Sequence, residues 1–489
     1  MARRTGRAAR TGRAAGAWRA VTRGTAVGAV LAVAAAVSSV PAAVAAPDVP
    51  VYAFADDVRS APAATGTTGA VRLEPGATYR SSLPDPGRSD GEADGDGAAQ
   101  GQGQGQGQGD GPRAYYRLEL DGSSNVYVSV TAVPRAGATL AVGDGISVSV
   151  QDADSTRCSS DSVTVGSSRS PQPLTAWGAR ELRPGKGLCQ KSGTYYVVVE
   201  RTGDDVSGAD PWELELAPVS EAPLAKAAAT GVPDGPGTWD SATPTPPVAE
   251  PEPVRGGAGF AEAAAVEQGV WSDEIVPGQT LFYKVPLDWG RQLSATVDLG
   301  SARKNAGYVV DALDLTLYNP VRADVQDASI GYGGSQKSAA LPPVPPVRYA
   351  NRYAPTDPTE SLRFAGAYYL VVHLAGQVAD RFGEGPYGLT LRVRVGGSSQ
   401  AAPGYARQSV PRGFFDVGTP DPVPSAAGRT ALGGAPGAGR PGDDQAMKAV
   451  AVGGIGTGSL LLTVLGVWTL AARRRAAAQM RVNAQNPTA

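Results

Sequence analysis

A chain of 489 residues has room for two or three domains, each burying its own core. Its 44 basic and 46 acidic residues nearly cancel, but eleven arginines sit at the two ends, leaving 33 basic against 46 acidic residues between them, a net of −13. A body that acidic repels phosphate backbones and argues against nucleic acid as a partner, and a single histidine with two cysteines is a poor basis for a zinc site.

Residues 1–45 have the form of an export signal. Seven arginines between Arg3 and Arg23 precede a short apolar run, Thr25 to Val37, and then Pro41 and the small-x-small pattern Ala43-Val44-Ala45. Cleavage after this pattern is expected; the alternative is an uncleaved anchor. An N-terminal extension, 46–70, follows.

The first β domain is expected over 71–218. Tyr115–Leu120 and Val126–Val133 alternate apolar and polar residues around Asp121-Gly122, which predicts a hairpin. Ile146–Val150 alternates again, and the strand Gly193-Thr194-Tyr195-Tyr196-Val197-Val198-Val199 leads towards Trp212–Leu216. The insertion 88–112, with its alternating Gln and Gly, holds no apolar side chain larger than alanine and is expected to stay disordered. Its deletion should leave the melting temperature nearly unchanged, and a large loss in a thermal scan would show that it is packed. Its acids Asp90, Glu92, Asp94 and Asp96 read as a solvating loop, with weak calcium binding as the other possibility.

A linker rich in Pro and Ala, 219–262, separates this domain from a second one at 263–395 that repeats the order. Gly366-Ala367-Tyr368-Tyr369-Leu370-Val371-Val372 restates the Gly193 strand, and Tyr387–Leu391 restates Trp212–Leu216. Tyr195, Val197 and Val199 in one copy, and Tyr368, Leu370 and Val372 in the other, form the expected inward-facing core of the repeat. The opposite face carries Tyr369, Val371 and His373; with Glu200 in the matching place, His373 is expected on a solvated face. The run Pro342 to Pro346 is expected to stiffen a loop as polyproline II.

A Gly/Pro-rich stalk is expected over 396–448. Residues 449–472 then carry no charge and are long enough for one transmembrane helix through the lipid bilayer, with Arg473, Arg474 and Arg475 placing the tail 473–489 in the cytoplasm. Gly454 and Gly458 would allow two such helices to pack.

In an exported chain Cys158 and Cys189 are expected to pair, the alternative being a free catalytic thiol. The sequence contains no G-x-S-x-G, H-E-x-x-H or P-loop motif. No catalytic residue, metal or cofactor is expected.

The succession of a Tyr-bearing strand (Tyr116, Tyr283), the strand Leu313–Tyr318 and a final Gly-x-Tyr-Tyr strand resembles the bacterial pre-peptidase C-terminal domain over residues 71–218 and 263–395. The resemblance implies two tandem jelly-roll-like β-sandwiches and a non-catalytic accessory or binding role. The fold class is therefore expected to be all-β with one C-terminal transmembrane helix, in a single-pass cell-membrane protein whose bulk is extracellular. The function is expected to be binding of an envelope protein, secreted protein or wall polymer. The alternative is a glycosidase-like hydrolase, which needs only two carboxylates.

Overall fold

A computed structural model describes residues 52–83, 112–183, 185, 187–203, 210–226, 238–304 and 307–417. The signal segment, the insertion apart from Pro112, the span 449–472 with Arg473, Arg474 and Arg475, and the tail lie outside these residues. Among the described residues no helix is long and apolar enough to cross a membrane.

Among the described residues, twenty strands fall into two sets of ten. The first set is β1 (Arg59–Ser60), β2 (Val71–Arg72), β3 (Tyr79–Leu83), β4 (Arg113–Leu120), β5 (Asn125–Val133), β6 (Gly145–Asp152), β7 (Arg157–Thr164), β8 (Leu174–Arg180), β9 (Gly193–Thr202) and β10 (Trp212–Glu221). The second is β11 (Glu252–Pro253), β12 (Ala264–Ala265), β13 (Gly269–Ile275), β14 (Thr280–Leu287), β15 (Arg291–Leu299), β16 (Val309–Tyr318), β17 (Asp324–Tyr332), β18 (Lys337–Ala340), β19 (Gly366–Leu374) and β20 (Tyr387–Gly397).

They form four five-stranded sheets. Sheet I has the order β1-β3-β10-β5-β8 and sheet II β2-β4-β9-β6-β7; sheet III has β12-β14-β19-β16-β17 and sheet IV β11-β13-β20-β15-β18. Each strand of the first sandwich has its counterpart ten places later, so the duplication extends to every strand. The chain is tandem β-sandwich, with two short α-helices (α1, Asp357–Glu360; α2, Gln377–Phe382) and a 3-10 turn interposed in the second copy.

The alternating residues build the cores as period two requires. Tyr116, Leu118, Tyr195, Val197 and Val199 point into the first core, and Tyr283, Tyr368, Leu370 and Val372 into the second. Gly193 and Gly366 open their strands at φ of +145° and +137°, a region only glycine enters without strain. At Gly366 a Cβ would also lie 2.8 Å from the Phe414 carbonyl oxygen.

Four expectations are corrected. β4 and β5 are not a hairpin: β4 pairs with β9 in sheet II, and β5 with β10 and β8 in sheet I. The turn at Asp121-Gly122 therefore arches from one sheet to the other; alternation looks the same in both arrangements because each strand buries one face either way.

The expected linker begins inside β10, which runs to Glu221, and its described end lies along sheet IV. There Arg394 and Arg392 donate to the Thr245 and Pro247 carbonyls at 3.0 and 3.2 Å. The first part of the expected stalk is packed as well: Val410 bridges to Ser220, Tyr405 to Leu224, and the Phe415 ring stacks on Phe364 at 4.9 Å. The proline run is a packed border, since Val344 and Val347 are buried in the second core. Between Ile146–Val150 and the Gly193 strand lie two strands that the alternation did not single out, the serine-rich β7 and β8.

Candidate functional site

The outward face of sheet I lies against the outward face of sheet III, giving the layer order II–I–III–IV. Aromatic residues form much of the seam. Tyr52, from the N-terminal extension, meets Phe282 of β14 at 5.9 Å between ring centroids, and Tyr127 of β5 meets Phe364 at 5.0 Å. Phe260 packs edge-on against Phe282, Tyr318 and Tyr369. Covering these aromatic residues with one another removes apolar surface from water and stabilises the pair of faces.

Buried charges cross the same seam. Glu221, at the end of β10, accepts from Arg352 at 2.7 Å and also from Asn125, Tyr127 and Tyr405. Both ionic side chains are almost wholly buried, at 0% and 7% exposure. Burial alone would raise the Glu221 carboxyl, but Arg352 outweighs it and holds the group below its ordinary value. Glu215 of β10 takes a hydrogen bond from Tyr52 and pairs with Arg322 of the second sandwich. A third cluster joins Glu181 and Arg183 to Glu360 and Arg363. Burial opposes ionisation of Glu181, yet the three arginines Arg363, Arg183 and Arg352 bring its carboxyl down to about 2.

His373 is at this seam, not on a solvated face. It is 2% exposed: Nδ1 shares a hydrogen bond with Thr280 at 2.9 Å, and Nε2 shares one with Ser170 of the first sandwich at 2.9 Å. The period-two reading put His373 on the correct side of its strand; what it missed was that the other sandwich covers that side. Glu200, at the matching place in the first copy, is only half-buried and pairs with Arg113.

Beside His373 the two sandwiches diverge and leave a cleft of about 360 Å³. Asp161 of β7 faces Asp311 and Asp314 of β16 and Asp324 and Asp327 of β17 across it. A bulge in β16 holds Asp311 at φ +43°, where it accepts from Ser167 and Ser329. Burial, followed by the charges of Asp311 and Asp327, pushes the Asp314 carboxyl up to about 7. Burial, followed by Asp327 and Asp161, pushes Asp324 up to about 6. Nothing in the sequence marked these five aspartates, which come from two domains. Among the described residues no group of three or more His, Cys, Asp and Glu side chains is arranged to hold a metal ion.

The expected disulfide is present, joining Cys158 on β7 to Cys189 just before β9. It places the first sandwich in an oxidising, extracytoplasmic setting.

No known family model matches this chain, and no curated protein matches it. Solved structures give distant likenesses. A protein from Parabacteroides distasonis is 11% identical, covering 71% of this chain and 97% of that one, with a TM-score of 0.16. The tandem CBM22 domains of Paenibacillus barcinonensis Xyn10C are 10% identical over 59% of this chain and 83% of theirs, at 0.15. The CUB1-EGF-CUB2 domains of rat MASP-1 are 8% identical over 66% and 99%, at 0.15. Scores of this size assign neither a family nor a function.

The histidine and the raised carboxyls of the cleft act on stability in opposite directions. Burial lowers the His373 imidazole from 6.5 to about 4, so the unfolded chain binds the proton first and stability falls as pH drops through that window. Asp314 holds in the folded state, up to about 7, a proton that the unfolded chain releases near 3.8, so its contribution falls as pH rises through that window. Asp314→Asn is therefore expected to raise stability at about pH 8 by roughly 2 kcal/mol, half the full shift because the cleft is partly open to solvent. It should also leave the acid loss from His373 opposed by Asp324 and Asp161, whose carboxyls burial likewise raises. Unchanged or lower stability of the variant at that pH, in urea titrations, would refute the buried-carboxylate account.

Proposed function

We propose that this chain is a non-enzymatic binding protein of the cell envelope, anchored by residues 449–472 with its two sandwiches outside the cell, and akin in role to pre-peptidase C-terminal-like accessory domains. The observation that carries the reading is the seam. Its buried ion pairs and aromatic contacts make one stiff body of two sandwiches, with a disulfide suited to the extracytoplasmic side. A stiff, tethered body of paired sheets presents extended faces and a junctional cleft to a partner.

In-cell crosslinking of the full chain, followed by mass spectrometry, tests it. Recovery of specific envelope or secreted proteins, or of wall fragments, is expected. Recovery of nothing beyond abundant bystanders would remove the binding role. Sedimentation of the protein with isolated walls separates a wall ligand from a protein one.

Asp314 favours a second reading. A carboxyl raised to about 7 beside other carboxylates has the character of a general acid in a glycosidase-like hydrolase. That reading requires hydrolysis of a wall polysaccharide that disappears in Asp314→Asn; an inert wild-type protein eliminates it.

A further inference from the structure

The duplication makes the outward faces of sheets II and III equivalent: Arg117 and Lys284 keep a cation at one matched position, but the carboxylates of sheet III have no acidic counterpart in sheet II. Matching the paired strands through Tyr195 and Tyr368 sets Ser147 against Asp314, Arg157 against Asp324 and Ser160 against Asp327. Three carboxylates of the second sandwich thus become two hydroxyls and a guanidinium in the first. The remaining sheet II face carries Arg72, Arg113, Arg117 and Arg157 against Glu119 and Glu200. Sheet III is covered by sheet I, but sheet II is an outer layer.

That face contains a groove of about 180 Å³ between Arg113 and Arg157, floored by Val198 and Ser149 and flanked by Tyr115 and Gln151. Arg113 is held by Glu200 at 3.2 Å, Arg117 by Glu119 at 3.4 Å, and Gln151 donates to Ser149 at 3.1 Å. Arg157 is exposed and makes no ion pair among the described residues. The acidity of the whole body does not cancel this patch, because salt confines each charge's influence to about 8 Å at physiological ionic strength.

We propose that the groove binds an anionic glycan. Its carboxylate or phosphate would pair with Arg157, whose planar fork suits either group. The sugar ring would lie against Tyr115, and its hydroxyls would meet Gln151 and Ser147. This names the ligand class of the envelope-binding reading and rests on that reading for its setting.

The test uses the full chain in detergent on immobilised polygalacturonate and poly(glycerol phosphate), with neutral dextran as the control. Retention on one or both anionic polymers, weakened by salt and absent on dextran, is expected; which polymer retains it distinguishes carboxylate from phosphate. Arg157→Ser should weaken retention about tenfold, the loss of one charge-assisted contact. Arg59→Ser, on sheet I, should leave it unchanged. Because Arg157 is exposed, both variants should keep the parent melting temperature. No retention on either anionic polymer, equal retention on dextran, or undiminished binding by Arg157→Ser would overturn the proposal. If in-cell crosslinks to envelope partners survive such a result, this groove alone is disproved and the envelope-binding reading stands.

Discussion

Replacing Glu221 by alanine is expected to lower the unfolding free energy by about 3–5 kcal/mol, the loss found when one partner of a buried ion pair is removed. The size follows from what remains. Arg352, 7% exposed and stacked 3.5 Å over the Tyr349 ring, would keep its charge with no carboxylate in contact, only the field of Glu181, which Arg363 and Arg183 already share. The Tyr127 and Tyr405 hydroxyls and the Asn125 amide would lose their acceptor together. Glu221→Leu combined with Arg352→Met removes the stranded charge and should recover part of the loss. It should remain about 1–3 kcal/mol below the parent, because the orphaned hydroxyls and amide persist. Urea unfolding followed by tryptophan fluorescence reads both variants. A loss under about 1 kcal/mol for the single substitution would mean that the seam admits water and that the two sandwiches are only loosely joined.

Opening the disulfide is expected to have a comparable effect by a different route. Cys158 and Cys189 are separated by 31 residues, and closing a loop of that length removes denatured-state entropy equivalent to about 3.7 kcal/mol on the chain-entropy model. Cys158→Ser with Cys189→Ser should lose about that amount, chiefly from the first sandwich, while leaving the second core intact. The parent should show no free thiol when denatured without reductant. A thiol count near two, or a double variant as stable as the parent, would contradict the assignment. The bridge ties β7, an edge strand of sheet II, to the entry of the central β9, so without it the edge should fray first.

The duplication was legible in the chain because it is written in short-range patterns. The Gly-x-Tyr-Tyr strands, the alternation of β4, β6 and β10, and their counterparts all follow from period two, and so do the inward residues from Tyr195 to Val199 and Tyr368 to Val372. The disulfide was legible because an exported domain with two cysteines has one possible internal pairing. The serine-rich β7 was not, since a strand at a sheet edge can be polar on both faces and then leaves little alternation to read.

Strand alternation determines which residues share a face, and this chain's own residues determine that two such sandwiches follow one another. It does not determine what lies against the second face of each sheet. Only the tertiary structure decided that sheets I and III cover one another, and with that the buried state of His373, the Glu221–Arg352 pair 131 residues apart, and the five-aspartate cleft. The physical reason is that a half-apolar outward face can be satisfied by water or by another sheet. Which of the two prevails depends on contacts between residues too distant in the chain for any local pattern to record.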